Sequence, residues 1–265
     1  MNFMQLRKLA IVTGATGAIG KAIASQLLAS GNFRVIMVVK NEEKALKVME
    51  DIRRQTHSAD IRYAVADLSV KEQIFDLASG IHEPVDVLIN NAADTPRKRT
   101  ETAEGIEVQF ATNVLAYFWM IEAFTPQLKA GSPSRVVNVA SYWAGGLDLS
   151  DLEFKNRRYD NDVAYRQSKQ ANRMLTVAFA GRLKSYGITV NACHPGDVNS
   201  ALSNSMGFGG HESPDEGADT PFWLATSPDL EGVSGRYFEH RKQLNCSFGR
   251  NLQDIERLFA ICGKY

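Results

Sequence analysis

Tyr165 and Lys169 are the two residues whose types and spacing could do chemistry together. They sit in Ala164-Tyr165-Arg166-Gln167-Ser168-Lys169, inside Val163–Leu183, a run with helical spacing and no proline or glycine before Gly181. On a helix, residues four apart share one face, a turn apart. A phenol loses its proton near pH ~10, too high for acid–base work at neutrality. An ammonium within about 4–6 Å favours the phenolate and lowers that value by roughly 1–3 units. The expectation is a general acid/base close to working pH. Tyr-x-x-x-Lys also arises often by chance, so the elements around it must decide.

Those elements begin with Leu9-Ala10-Ile11-Val12, an apolar run that reads as a buried parallel strand. Gly14-Ala15-Thr16-Gly17-Ala18-Ile19-Gly20 follows, then a helix over Lys21–Ser30 closed by Gly31-Asn32. Strand, glycine turn and helix are the setting of a dinucleotide fingerprint. Its glycines let backbone approach a pyrophosphate, and the helix N-terminus attracts that charge. The spacing is Gly-x-x-Gly-x-x-Gly rather than the commoner Gly-x-Gly-x-x-Gly. A second strand, Arg34–Val39, ends at Lys40-Asn41, ahead of an amphipathic helix over Glu42–Gln55. An acid at this strand end would bind the ribose hydroxyls of NAD, whereas a base suits the 2′-phosphate of NADP. Lys40 therefore predicts NADP(H).

Further strands are expected at Ile61–Ala66, ending in Asp67-Leu68, and at Val85–Ile89, running into Asn90-Asn91-Ala92-Ala93. Small and amide residues at a strand's carboxyl end suit an adenosine pocket. Val70–Ser79 reads as a helix and Asp94–Glu104 as a polar loop. Gly105–Leu128 reads as a long helix holding Asn113 and ended near Pro126. Arg135–Ala140 is a strand that delivers Ser141, and Gly145–Asn161 a polar, charged insertion. Thr189–Ala192 leads to Cys193-His194-Pro195-Gly196. Tyr237-Phe238 makes a short last strand and Leu252–Cys262 a terminal helix. Strands alternating with helices predict one α/β domain over 1–265: a single doubly wound parallel sheet, or Rossmann fold, with helices on both faces. The Gly- and Ser-rich stretch 200–220, with Met206 and Phe208, is expected to be a substrate loop that closes as an apolar lid.

Composition narrows the classes. Of 265 residues, 44% are hydrophobic and 23% charged, ordinary for a soluble globular chain. Lys+Arg and Asp+Glu both number 30, which argues against a nucleic-acid or strongly anionic partner. The basic clusters Arg97-Lys98-Arg99 and Arg157-Arg158 read as solvated loop edges. Cys193, Cys246 and Cys262 are odd in number with no CxxC spacing, against a disulfide framework or zinc site and in keeping with a reducing cytosol. Met1–Lys8 is no signal peptide, and no stretch reaches the ~20 apolar residues of a membrane span. The expectation is a cytoplasmic protein with no membrane anchor and no metal.

Taken in order, Thr13-Gly14-x-x-Gly17-x-x-Gly20, Asp67, Asn90-Asn91-Ala92, Asn113, Ser141, Tyr165-x-x-x-Lys169 and Pro195-Gly196 resemble the short-chain dehydrogenase/reductase family. Val137-Asn138-Val139-Ala140-Ser141, the insertion before Tyr165, His194-Pro195-Gly196 and Gly235-Arg236-Tyr237-Phe238 are similar to its retinol-dehydrogenase-like and carbonyl reductase members. Four features depart from that pattern. Ala18 stands where the second glycine is usual, and the Gly17 spacing belongs to the extended, epimerase-like branch. Ala93 replaces a glycine. Lys40 replaces an arginine, so the planar fork that grips phosphate through two bonds is lost. No anchor precedes Leu9, which puts a retinoid substrate in doubt.

The resemblance implies an oxidoreductase that interconverts a carbonyl and an alcohol by hydride transfer on a small to medium apolar substrate. Tyr165 would be the acid/base, and Lys169 would hold the nicotinamide ribose and depress the tyrosine pKa. Ser141 would bond the carbonyl oxygen, and Asn113 would hold a relay water. Gly14, Thr16, Gly17, Ile19 and Gly20 would cradle the dinucleotide. Asp67 would bond the adenine with Leu68 packed nearby, while Asn90 and Ala92 line the adenosine side. Pro195, Gly196, Val198 and Ser200 would complete the nicotinamide end, and Tyr142-Trp143 would wall the substrate. The Gly17 spacing keeps open a sugar-nucleotide epimerase or dehydratase, and a non-catalytic NADP(H)-sensing module is the third reading. Many relatives pair through the helices holding Asn113 and Tyr165. A homodimer is therefore possible here, or a monomer if the 145–161 insertion blocks that surface.

Overall fold

The computed structural model describes residues 7–265. Its central strand, β1 (Lys8–Thr13), sends Leu9 and Ile11 into one apolar cluster and Ala10 and Val12 into another. Alternate side chains leave opposite faces of a strand, so a run apolar at every position must be covered on both sides.

The covering elements follow in order: α1 (Ala18–Ala29), β2 (Phe33–Val39), α2 (Glu42–Thr56), β3 (Ile61–Val65), α3 (Lys71–Ser79) and β4 (Val87–Asn90). A helix then opens as α4 (Val108–Phe110), widens to π geometry over Ala111–Leu115 and continues as α5 (Ala116–Ala130). β5 (Ser134–Val139), α6 (Asn161–Leu183), β6 (Ile188–His194), α7 (Ala201–Ser205), α8 (Pro214–Thr226), β7 (Tyr237–Glu239), β8 (Lys242–Leu244) and α9 (Leu252–Cys262) complete it. One eight-stranded sheet runs β3-β2-β1-β4-β5-β6-β7-β8, parallel except for the β7–β8 pair. Ile23, Ile52 and Leu224, from α1, α2 and α8, pack on one face. Ile74, Phe118, Leu175 and Leu258, from α3, α5, α6 and α9, pack on the other. The fold is the expected α/β doubly wound sheet. Strand order reverses between β1 and β4, which opens a crevice at their carboxyl ends.

Local differences have physical causes. α1 begins at Ala18, three residues before the expected start. Pro126 does not end its helix: it lies exposed, as does Glu122 one turn earlier, so the carbonyl left without an N–H faces water. The 145–161 insertion is not merely polar surface, because Leu152 and Phe154 are buried and Asp151 and Glu153 are buried with them. Two of the arginines read as loop edges are structural. Arg99 donates to the Glu153 carbonyl at 2.9 Å, and Arg157 lies over the Phe154 ring at 4.1 Å. The stretch 200–220 holds helix α7 and the start of α8 rather than an open loop. β8, three exposed residues, was not expected.

Candidate active site

Thr13, at the end of β1, stitches the crevice together. Its Oγ1 accepts the Asn91 and Ala92 N–H groups at 2.8 and 3.0 Å, and Asn91 Nδ2 returns a bond to the Thr13 carbonyl at 2.9 Å. Gly14 then turns with φ +62°, and a Cβ there would lie 2.8 Å from Ala92 Cα. The chain enters α1 through Gly17, which offers no side-chain cap, and the first turn carries no acid. The first N–H groups of that helix are left for an anion. A cleft of about 560 Å³ opens above this turn. Gly14, Thr16, Gly17, Ile19, Gly20, Lys40, Asp67, Leu68, Ala92 and Ser200 of the expected set line it.

Asn90 does not. Its side chain is fully buried and donates to Asn138 Oδ1 at 3.0 Å, and Asn138 in turn donates to Thr176 at 2.9 Å. Asn91 lines the cleft instead. Lys40 Nζ lies 2.8 Å from Asp67 Oδ2, so the two residues expected to meet different parts of a nucleotide meet each other. Asp67 is pulled below the usual carboxylate range by its bonds to Lys40 and Ser69, which outweigh its partial burial.

A second cavity, about 530 Å³, continues from the first, with Ile19, Ser200 and Leu202 lining both. Ser141, Tyr165, Pro195, Gly196 and Val198 line it, facing Tyr142, Trp143, Met206 and Phe208. Trp143 meets Phe208 edge-on at 4.7 Å, which gives the cavity an aromatic wall. His194, which the sequence offers only within the His194-Pro195-Gly196 match, also lines it, as does His211, of which spacing gave no sign. Burial, with His240 and Arg173 nearby, pushes His194 down to about 3 and keeps its imidazole neutral.

Asp160 caps α6, its Oδ1 accepting the Asp162 and Val163 N–H groups at 3.0 Å each, and this sets the turn from which Tyr165 projects. Lys169 is 2% exposed and lines neither cavity. Its Nζ donates to the Val139 carbonyl at 3.0 Å and lies 5.5 Å from the Tyr165 ring centre. The expected lowering of the phenol does not follow from this arrangement. Burial pushes Tyr165 up to about 12, against a smaller opposite pull from the Ser141 hydroxyl, and burial pushes Lys169 down to about 7. Partial burial of the phenol, which still lines the cavity, and full burial of the amine each favour the neutral form. At neutral pH the phenol keeps its proton.

Asn113 lies in the π stretch, fully buried. Its Oδ1 accepts the Asp94 N–H at 2.8 Å and its Nδ2 donates to the Asp94 carbonyl at 2.9 Å. It braces the Asp94 edge of the cleft and makes no direct bond to Lys169. Burial pushes the Cys193 thiol up, as for a packed side chain. Among the described residues, no group of three or more His, Cys, Asp or Glu is placed to hold a metal ion, and no helix is long and apolar enough to cross a membrane.

A parallel sheet that reverses at a glycine turn, with a tyrosine and a serine in the adjoining cavity, defines the dinucleotide-binding α/β oxidoreductases. The family model for short chain dehydrogenases matches residues 8–207. Retinol dehydrogenase 13 of Mus musculus is 35% identical over 252 residues, 88% of this chain and 75% of that protein. The crystal structure of an uncharacterised protein from Mycobacterium paratuberculosis superposes with a TM-score of 0.81 at 27% identity, covering 98% of this chain and 92% of that one. An NAD(P)-dependent protein from Beutenbergia cavernae, solved with NADP bound at low occupancy, gives 0.70 at 26% identity over 89% and 96%. The chain belongs to the short-chain dehydrogenase/reductase family, close to its retinol dehydrogenases, and that family works with nicotinamide dinucleotides.

Proposed function

We propose that the chain is an NADP(H)-dependent reductase of small to medium apolar aldehydes or ketones. The observation that carries this reading is that Tyr165 and Ser141 line one cavity with Trp143, Met206 and Phe208, and that this cavity is continuous with the glycine cleft. The cleft fits a dinucleotide: Gly17 brings no side chain to the entrance of α1, and the uncapped, acid-free start of that helix favours phosphate. Gly14, Thr16, Gly17, Ile19 and Gly20 would hold the pyrophosphate, Lys40, Asp67 and Leu68 the adenosine end, and Pro195, Gly196, Val198 and Lys169 the nicotinamide end.

The bound cofactor supplies the hydride. Tyr165 gives its proton to the substrate oxygen, and a group that is protonated at rest suits the reductive direction. Ser141 donates to the same oxygen as charge develops on it. The Lys169 ammonium, 5.5 Å from the Tyr165 ring centre, would return a proton to the phenolate after turnover and be reprotonated from solvent. Asn113 holds the Asp94 edge of the cleft in place. Trp143, Met206 and Phe208 exclude water and select apolar substrates.

Tyr165→Phe tests this directly, with NADPH consumption followed on a panel of aliphatic, aromatic and polyene aldehydes. Turnover should fall by about 10²–10⁴-fold, the usual worth of a positioned acid, while NADP+ binding is kept. Unchanged turnover sinks the reading. For the cofactor, Lys40→Ala should cut kcat/KM with NADPH by about tenfold, roughly the worth of one charged contact, and leave NADH nearly unaffected. Faster turnover of NADH by the native chain overturns the NADP(H) preference.

A further inference from the structure

Three consecutive turns of α6 present Tyr165, Lys169 and Arg173 on one face. Arg173 has no part in the chemistry above, yet its guanidinium side chain is 8% exposed. Among the described residues it forms no ion pair. A buried charge without a counter-ion is costly unless its donors are used. Arg173 Nη2 donates to the Ser141 carbonyl. Its guanidinium carbon lies 3.5 Å from the Tyr237 ring centre and 5.5 Å from that of Phe248. The Tyr237 hydroxyl donates to Glu239 Oε1 at 2.7 Å, which leaves the ring richer in electrons and a better seat for a cation.

The place where this cation is anchored matters. The β5–β6 ladder ends with Val139 opposite Cys193, and the Ala140 N–H to the Cys193 carbonyl, at 2.7 Å, is its last bond. Ser141 lies beyond it, so no sheet bond fixes its peptide. Its side chain accepts the Trp143 N–H at 3.1 Å, and Arg173 holds its carbonyl. Tyr237 belongs to β7 and pairs with Ala192 of β6, so the other end of the tether is rigid.

We propose that Arg173 is a positioning residue: by clamping the Ser141 carbonyl against the Tyr237 ring, it fixes the backbone from which the Ser141 hydroxyl reaches the substrate. This rests on the reading of Ser141 as the donor to the carbonyl oxygen. A lysine cannot substitute, because a compact ammonium does not lie flat on a ring while donating sideways.

The test is a double-mutant cycle of Ser141→Ala and Arg173→Met, read as kcat and KM with NADPH and the aldehyde reduced fastest in the panel. NADP+ affinity is followed by tryptophan quenching, and folding by thermal melts. Arg173→Met should lower kcat by about 10–100-fold, as a small misplacement of a reacting group does, with NADP+ affinity unchanged. In the Ser141→Ala background the same change should cost less than about threefold, since groups that act as a unit are not additive. If both losses multiply in full, the proposal falls and the Ser141 reading stands. If Ser141→Ala alone keeps native turnover, that reading falls and the proposal with it. Should Arg173→Met not fold, Tyr237→Leu removes the ring and leaves the arginine. It should lower kcat less, again only when Ser141 is present, and native kcat in that variant overturns the proposal.

Discussion

Lys169 is an amine held where an amine is uncomfortable. It is 2% exposed, its one bond goes to the Val139 carbonyl, and Tyr117 donates to that same carbonyl at 3.1 Å. Burial lowers its pKa from 10.5 to about 7, so between those values the unfolded chain binds the proton that the folded one has released. Stability therefore rises with pH across that window, and the cost of the buried charge is greatest below about 7. Lys169→Met should abolish turnover and yet raise Tm at pH ~6 by about 2–4 °C, the shift expected for about 1 kcal/mol in a chain of this size. The gain should shrink towards pH ~10. A lower Tm at pH ~6 would show that the amine supports the fold. The types and spacing of Tyr165 and Lys169 were legible in the sequence, but the direction of their pKa values was not. A helical face shows which groups are neighbours, and only the packed structure shows how much water each has lost. Asn90 and Asn91 pose the same problem, since the register of β4 decides which amide turns into the core and which faces the cleft.

The elements around the glycine turn separate two kinds of glycine. Gly14 has a positive φ and a backbone neighbour within 2.8 Å of any added Cβ, whereas at Gly17 the nearest atom is the Gly14 carbonyl oxygen at 3.3 Å. Gly14→Ala combines left-handed strain with a clash against the Ala92 backbone, just beyond β4, and should lower Tm by about 5 °C or more. Gly17→Ala should melt within about 2 °C of the native chain, because its backbone is already extended. It should nevertheless bind NADP+ about tenfold more weakly, because its Cβ stands at the helix entrance where phosphate would approach. Equal effects on Tm and on binding would show that the two glycines do one job. Most elements were readable from period and punctuation. α9 falls at Leu252–Cys262 as expected, and Asp160 marks the start of α6. α8 was hidden by Pro214, Gly217 and Pro221, all unfavourable in a helix interior. The signal that could have revealed it is the reciprocal cap of Ser213 and Glu216, with Pro214 at the first position. β8 has no apolar pattern at all and exists through its pairing with β7.

At the scale of the molecule, α9 closes a surface that the fold would otherwise leave apolar. Phe259 packs edge-on against Phe118 of α5 at 4.9 Å and Phe179 of α6 at 5.1 Å, and Ile255 and Leu258 are buried beneath it. The 145–161 insertion adds Leu152 and Phe154 to the neighbouring core. With α9 seated on α5 and α6, the prediction is that the chain sediments as a 29.3 kDa monomer. A stable dimer would show that pairing uses another face. Phe259→Asp should expose that apolar seam and produce self-association as well as a lower Tm. The place of α9 on α5 and α6 is legible only in the packed structure, because a pattern of apolar residues does not say which neighbour it will cover. Trp143 has one more consequence. It stands in the wall shared by Tyr165 and Phe208, at 6.0 and 4.7 Å, while Trp119 is sealed in the core and Trp223 sits against Phe238. Indole emission overlaps the absorption of reduced nicotinamide, so the chain carries an optical gauge of its own: arrival of NADPH, and then of a carbonyl compound, should each dim the glow of this one ring without any added dye.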